Sequence, residues 1–309
     1  MNRSILIFGG NGFLGSHLAE KAIKNGMDVT VVDDLSTMEK INVPEKVHLI
    51  KEKIEDFLSN EKYDIVVHLA ARPSPEDYID HPIDTISSNS FGTRNALEIA
   101  RKNSSVFMYT SSSEVYGDAQ IIPTPESYYG YVNPNGIRSC YDEGKRFSEA
   151  LIMAYHRQYK MDTRIQRPFN VYGPRIREDG QYGRVIPRFI KWALNDEDII
   201  IFGNGKQTRS FLYIEDWLEA TWNFITKEGL EGSIINIGAS QEITVENLAR
   251  KVIELTGSKS KIIHKDPRPD DPFRRSADTS MARKLIGFNP KVGLEDGLLK
   301  TIKWFEGGN

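Results

Sequence analysis

Tyr141 stands four residues before Lys145 in the segment SCYDEGKRFSEALIMAY, which runs from Ser139 to Tyr155. Apolar residues follow at helical spacing, so the phenol and the ammonium fall on one helix face. An ammonium beside a phenol favours the phenolate, and is expected to lower the tyrosine pKa. A tyrosine tuned in this way can accept a proton from a hydroxyl near neutral pH. The lysine can also hold a ribose hydroxyl, so one side chain serves two roles. A third group has to place the substrate hydroxyl. YTSSSEVYG offers Ser111, Ser112 and Ser113 at the end of an apolar run. Taken alone, the pair also fits an ordinary surface tyrosine and lysine; the rest of the chain has to decide.

The start of the chain decides much of it. Gly9, Gly12 and Gly15 are spaced three apart in GGNGFLGSH, directly after the apolar run 5–8. One glycine permits a tight turn, one lets the backbone approach a pyrophosphate, and one lets helix and strand pack closely. The free N–H groups of the helix start then face the phosphates. A second apolar run ends at Asp33, with Asp34 beside it. An acid there accepts from the adenosine ribose hydroxyls and favours NAD over NADP. Asp33 is the better placed of the two.

Positioning such groups requires a particular set of elements. Apolar runs at 5–8, 29–33, 63–71, 106–110 and from 163 alternate with helical patterns at 16–25, 88–103 and 139–155. That order predicts an α/β fold: a doubly wound, parallel-sheet Rossmann domain over 1–172. The texture changes after Tyr172. VIPRFIKWAL reads as a helix, and DIIIFGNGKQTRSFLYIEDWLEA as strand, turn, strand and helix start. INIGASQEITVENLARKVIELTG repeats that order, with Thr244 placed to cap the helix. Residues 173–309 are therefore assigned mainly to a smaller C-terminal substrate-binding lobe, with an approximate boundary and room for segments that return to the first domain.

Composition narrows the classes. Of 309 residues, 39% are hydrophobic, enough for a sizeable core. Net charge is -3, so no global positive field would hold nucleic acid or an anionic membrane. Cys140 is the single cysteine, which rules out an intrachain disulfide and zinc sites built on several cysteines. No apolar run approaches a membrane span or a secretion signal, and the six histidines are scattered. A cytoplasmic protein without a bound metal is expected. His68, in an apolar run, reads as a packed residue.

GGNGFLG, YTSSSEVYG, YDEGK and RPFNVYGP together resemble the extended short-chain dehydrogenase/reductase family that acts on nucleotide sugars. The likeness covers nearly the whole chain. Through ARPSPEDY, PIDTISSN, PESYYGYVNPNGIRSCYDEGKR, GKQTRSFLYIED and DDPFRRSAD it is most similar to the UDP-glucuronate decarboxylases, or UDP-xylose synthases. The resemblance implies NAD held by Gly9, Gly12, Phe13, Leu14, Gly15, Asp33, Asp34, Leu69, Ala70, Ala71, Asn89, Thr110, Tyr141 and Lys145. It implies catalysis by Ser112, Glu114, Tyr141 and Lys145. Asn170 and residues 201–213 would contact the nucleotide sugar, with Arg209 at the diphosphate and Arg268 and Asp271 beside the nucleoside. Arg175 and Arg275 match basic positions near a sugar carboxylate. Ser113 replaces the aspartate of 4,6-dehydratases, which makes dehydration the poorer reading. Two features depart from the pattern: Lys53 stands where relatives place an aspartate by the adenine, and EDGQYGRVIPRFI is longer than the decarboxylase version.

The implied reaction oxidises the sugar at C4, loses CO₂ from the 4-keto-uronate, and reduces the ketone again, so that NAD ends as it began. A 4-epimerase uses the same catalytic groups and stays open as the alternative; a non-catalytic NAD-binding protein would be expected to lack some of them. The resemblance also implies a homodimer, in which helices over 87–102 and 142–159 pair across a two-fold axis. Phe91, Leu97, Phe147 and Leu151 are the candidate packing residues, some of them facing their own sheet.

Overall fold

The computed structural model describes residues 3–38, 40–177, 184–267 and 273–307. Among these, seven strands form one sheet in the order Ile234–Ile237, Thr163–Pro168, Val106–Thr110, Ile65–His68, Ser4–Phe8, Asp28–Val32 and His48–Ile50. Every neighbouring pair is parallel. Successive side chains on a strand point to opposite faces, and here both faces are covered. Ile5 and Ile7 join Val29, Val31 and Met108 against Leu18, Ala19 and Ala22 of the Phe13–Lys24 helix. Leu6 and Phe8 join Val66, Phe107 and Tyr109 on the other face. There they meet Ala96, Leu97 and Ala100 of the Thr93–Asn103 helix and Ile152 of the Ser139–Tyr159 helix. Burial on both faces is why these runs read as continuously apolar in sequence.

The chain winds outward from Ser4–Phe8 in one direction and then returns to its other side at Ile65–His68. Between the C-terminal ends of those two strands lies the crevice in which open α/β sheets bind ligands. The smaller lobe sits over that edge. Within it, Ile199–Phe202 pairs with Ile262–Lys265, and Thr208–Ser210 lies between Glu242–Thr244 and Arg274–Arg275. Thr244 caps the Val245–Thr256 helix, its side chain accepting from the Asn247 N–H at 3.1 Å.

INIG, beyond the approximate boundary at 172, is a segment that returns to the first domain: it lies in the Ile234–Ile237 strand of the large sheet, pairing with Thr163–Pro168. Ile235 and Ile237 are fully buried there, and the strand covers what would otherwise be an open sheet edge. The Ile214–Thr226 helix joins the same core through Trp217 and Phe224. The single helix expected over 87–102 is a composite: Pro82–Ser87, a π turn at Ser88–Gly92, then Thr93–Asn103. Within the π turn the Asn89 carbonyl accepts from the hydroxyls of Thr93 and Ser148.

Candidate active site

A cleft of about 400 Å³ runs from the glycine turn to the smaller lobe. At one end the backbone makes the surface. Gly9 has φ +73°, and a Cβ there would stand 2.5 Å from the Ala70 nitrogen. A Cβ on Gly15 would stand 2.3 Å from the Gly9 carbonyl oxygen. At Gly12 the nearest atom would be 3.4 Å away, so the space over this residue belongs to the cleft it lines. Gly12 precedes the Phe13–Lys24 helix with no side-chain cap, leaving the first-turn N–H groups free for an anion. Asp33 follows the next strand. Its carboxylate accepts from the amides of Asn11 and Leu35, both at 2.9 Å. Burial raises its pKa against the pull of those amides. A carboxylate with one amide on each oxygen keeps lone pairs for ribose hydroxyls. These residues fit a dinucleotide: a backbone cradle for the pyrophosphate and an acid for the ribose. Phe13, Leu14, Asp34, Leu69, Ala70, Ala71 and Thr110 line the same space, as does Lys53.

In the middle stand Tyr141 and Lys145, one turn apart on the Ser139–Tyr159 helix and both lining the cleft. The Lys145 ammonium donates to the Thr110 carbonyl at 2.9 Å and lies 4.6 Å from the Tyr109 ring centroid. Burial pushes Lys145 down to about 7, with Glu149 opposing. The expectation for Tyr141 is reversed. Burial pushes its phenol up to about 12, while the charge of Arg184 and a hydrogen bond with Ser112 act in the lowering direction. Desolvation outweighs any help from Lys145, whose own charge burial also opposes.

Ser112 caps the short Ser113–Tyr116 turn and accepts from the Glu114 N–H at 3.2 Å. A buried network fixes that turn from below. The Ser111 hydroxyl donates to Glu149 at 2.6 Å, and Arg167 grips both oxygens of the same carboxylate. Arg167 also reaches the Tyr116 hydroxyl, which donates to Asn236 at 2.8 Å. His68 is packed, as read from sequence. Its Nε2 lies 3.1 Å from the Thr93 hydroxyl, and burial pushes it down to about 3.

The far end of the cleft is built from charge. Glu114 accepts from Arg138 at 2.7 Å and from both terminal nitrogens of Arg275. Burial works against its charge, yet Arg275 and Arg138 hold its carboxyl well below the usual range. Tyr78, fully buried, stacks on the Tyr141 ring with centroids 5.1 Å apart and planes 12° from parallel. Its hydroxyl has no hydrogen-bond partner among the described residues. Asn170 lines the cleft at φ +44°, donating to the Ser210 carbonyl, and Arg209 lines it nearby.

The sequence-level assignments thus divide. Ser112, Glu114, Tyr141, Lys145, Asn170, Arg209 and Arg275 converge on the cleft. Asn89 does not line it. Fully buried below, its amide is spent on the Thr85 carbonyl and the Tyr109 hydroxyl. Arg175 also lies outside the lining, where its guanidinium pairs with Glu20 at 2.7 Å. Arg268 and Asp271 fall outside the described residues. Reading by sequence gave no role to Tyr78 or Arg138. Arg138 had a signal available, one helical turn before Tyr141; Tyr78 had only its place in ARPSPEDY.

The glycine cradle and the Ser112–Tyr141–Lys145 constellation define a dinucleotide-dependent enzyme that moves a hydride and a proton at a hydroxyl-bearing carbon. The chain belongs to the NAD dependent epimerase/dehydratase family, whose model matches residues 5–238. It is 43% identical over 303 residues to UDP-glucuronic acid decarboxylase 3 of Arabidopsis thaliana, covering 96% of this chain and 87% of that one. It is 40% identical over 308 residues to UDP-glucuronic acid decarboxylase 1 of Xenopus tropicalis, covering 98% and 72%. A solved UDP-glucose 4-epimerase of Thermotoga maritima, with UDP-glucose, has a TM-score of 0.92 at 30% identity over 99% of both chains.

Proposed function

We propose that the protein converts UDP-glucuronate to UDP-xylose and CO₂. The observation that carries this reading is the pair of arginines, Arg138 and Arg275, that hold Glu114 in the cleft Tyr141 also lines. Such a pocket suits an anionic sugar, and the curated relatives at 40% and 43% identity act in that class by name. NAD supplies the hydride acceptor and donor. Tyr141, hydrogen-bonded with Ser112, takes the proton of the sugar 4-hydroxyl as its phenolate, the form that the positive charge of bound NAD⁺ would favour against burial, and later returns it. Once C4 is a ketone, the C5 carboxylate is β to it. The C–C bond then breaks with its electron pair passing into an enolate whose oxygen faces Tyr141 and Ser112. C5 takes up a proton, so the net reaction consumes one proton for each CO₂ released.

A 4-epimerase is the second reading, favoured by the closeness of the fold to a solved 4-epimerase. We infer a homodimer as well. Phe91 and Phe147 are 67% and 51% exposed on neighbouring helices, beside exposed Ile83 and Ile86. Leu97 takes no part in that face, being fully buried in its own core, and Leu151 is partly buried against that core.

The test is product analysis by NMR. Purified protein given UDP-glucuronate should yield UDP-xylose with no net loss of NAD⁺, and light scattering at low micromolar protein should show a dimer. UDP-galacturonate with its carboxyl intact would establish epimerisation. Activity confined to neutral sugars would remove Arg138 and Arg275 from carboxylate recognition.

A further inference from the structure

Asp142 follows the catalytic tyrosine directly, yet no step above uses it. It is only 7% exposed. One carboxylate oxygen lies 4.0 Å from the Arg138 Nε, and the other is buried with no hydrogen-bond partner among the described residues. Asp142 itself does not line the cleft, but through Arg138 it adjoins the largely buried charges that do, Arg138, Arg275 and Glu114, giving two arginines and two carboxylates in one cluster. With all four ionised these groups sum to zero, both arginines are already committed to Glu114, and Arg209, also on the cleft, adds a smaller pull on the same carboxylate. A uronate carboxylate entering that cluster would leave it one negative charge in excess. Buried charges without partners are too costly to tolerate, so a proton has to follow.

We propose that Asp142 binds that proton when the uronate docks, acting as a positioning residue whose neutral form leaves the two arginines with charge for the substrate. This rests on the reading of a uronate substrate given above. The groups facing Asp142 favour it as the acceptor. Burial raises its pKa to about 7, and Glu114 adds to the rise; Arg138 and Arg275 oppose, and Glu143 on the same helix adds a smaller push. Tyr78 and Tyr141 also lie within its field, and burial opposes ionisation of both phenols. Glu114 is the poorer acceptor, since both arginines bond its ionised form directly. The balance closes with the reaction. Binding loads one proton from solvent, and decarboxylation consumes one at C5.

The experiment uses NAD-loaded protein carrying Tyr141→Phe, which stops turnover. UDP-glucuronate binding is measured by calorimetry at pH 7.5 in buffers of different ionisation enthalpy. The expected result is uptake of on the order of half a proton or more. UDP-glucose, which brings no carboxylate, should cause much less. In Tyr141→Phe/Asp142→Asn the uptake should fall several-fold. Equal uptake with both sugars overturns the proposal without any change at Asp142, so a misfolded Asn variant does not rescue it. Unchanged uptake in the Asn variant also overturns it, placing the proton elsewhere, with Lys145 the first candidate. In the otherwise wild-type enzyme, Asp142→Asn should flatten the fall in kcat/KM as pH rises through about 7, because the amide mimics the protonated acid. A loss merely of fold would lower the whole profile and leave its shape. Whether UDP-glucuronate is decarboxylated at all is read separately from the products, so failure of the substrate reading and failure of the Asp142 assignment are distinguishable.

Discussion

The two ends of the cleft are made of different material. The dinucleotide end is backbone: glycines whose missing Cβ atoms leave room, and helix N–H groups that no side chain caps. The sugar end is side chain: Glu114, Arg138 and Arg275 come from a turn, the approach to a helix and a short strand, and they hold one another by charge. A backbone surface cannot adjust to an added atom. A charge cluster can rearrange its pairs when a new ion enters. The first end suits a cofactor that ends each cycle as it began and can stay bound, and the second a substrate that leaves with one negative charge fewer.

Substitutions can break this contrast. The largest effect is expected from Gly15→Ala, because its Cβ would meet a backbone carbonyl oxygen at 2.3 Å. NAD⁺ affinity by calorimetry should fall by well over ~100-fold, about 3 kcal/mol. Binding within a few-fold of wild type would mean that this end is as adaptable as the other. Next comes Arg275→Gln, which leaves Glu114 buried with Arg138 alone. Urea unfolding should show a loss of about 2–3 kcal/mol, less than the ~3–5 of a fully orphaned buried charge. Adding Glu114→Gln should recover part of that loss, and strictly additive losses would mean that the two do not form a coupled pair. The smallest effect belongs to Asp33→Asn. It should weaken NAD⁺ about tenfold, roughly 1.4 kcal/mol, and leave NADP⁺ nearly unchanged. Parallel losses for both cofactors would remove Asp33 as the selector.

The same contrast explains what could be read from the chain alone. The dinucleotide end is local: Gly9, Gly12, Gly15 and Asp33 lie within one strand–helix–strand unit, where spacing carries geometry. Tyr141 and Lys145 were legible for the same reason. The sugar end depends on meetings between distant segments. Tyr78 stacks on Tyr141 across 63 positions, and Arg275 meets Glu114 across 161. No periodicity announces such contacts. The error over the Tyr141 phenol has a related cause: neighbours along a helix are visible in sequence, whereas burial, which here dominates, is not. Arg175 shows the limit of position alone, since a match in register did not say that Glu20 would take its charge. In the fold, INIG had the composition of a core strand, but nothing local told which sheet it would join.

That last strand has a consequence for the birth of the molecule. Thr163–Pro168 leaves the ribosome long before Ile234–Ile237, its partner along one edge. At roughly 5–20 residues per second, a strand of buried residues waits on the order of several seconds with unpaired amides on that side. Ile199–Phe202 and Thr208–Ser210 of the second lobe are made inside that wait, while their partners Glu242–Thr244, Ile262–Lys265 and Arg274–Arg275 come only after it, so the nascent chain carries unfinished sheets in both lobes at once.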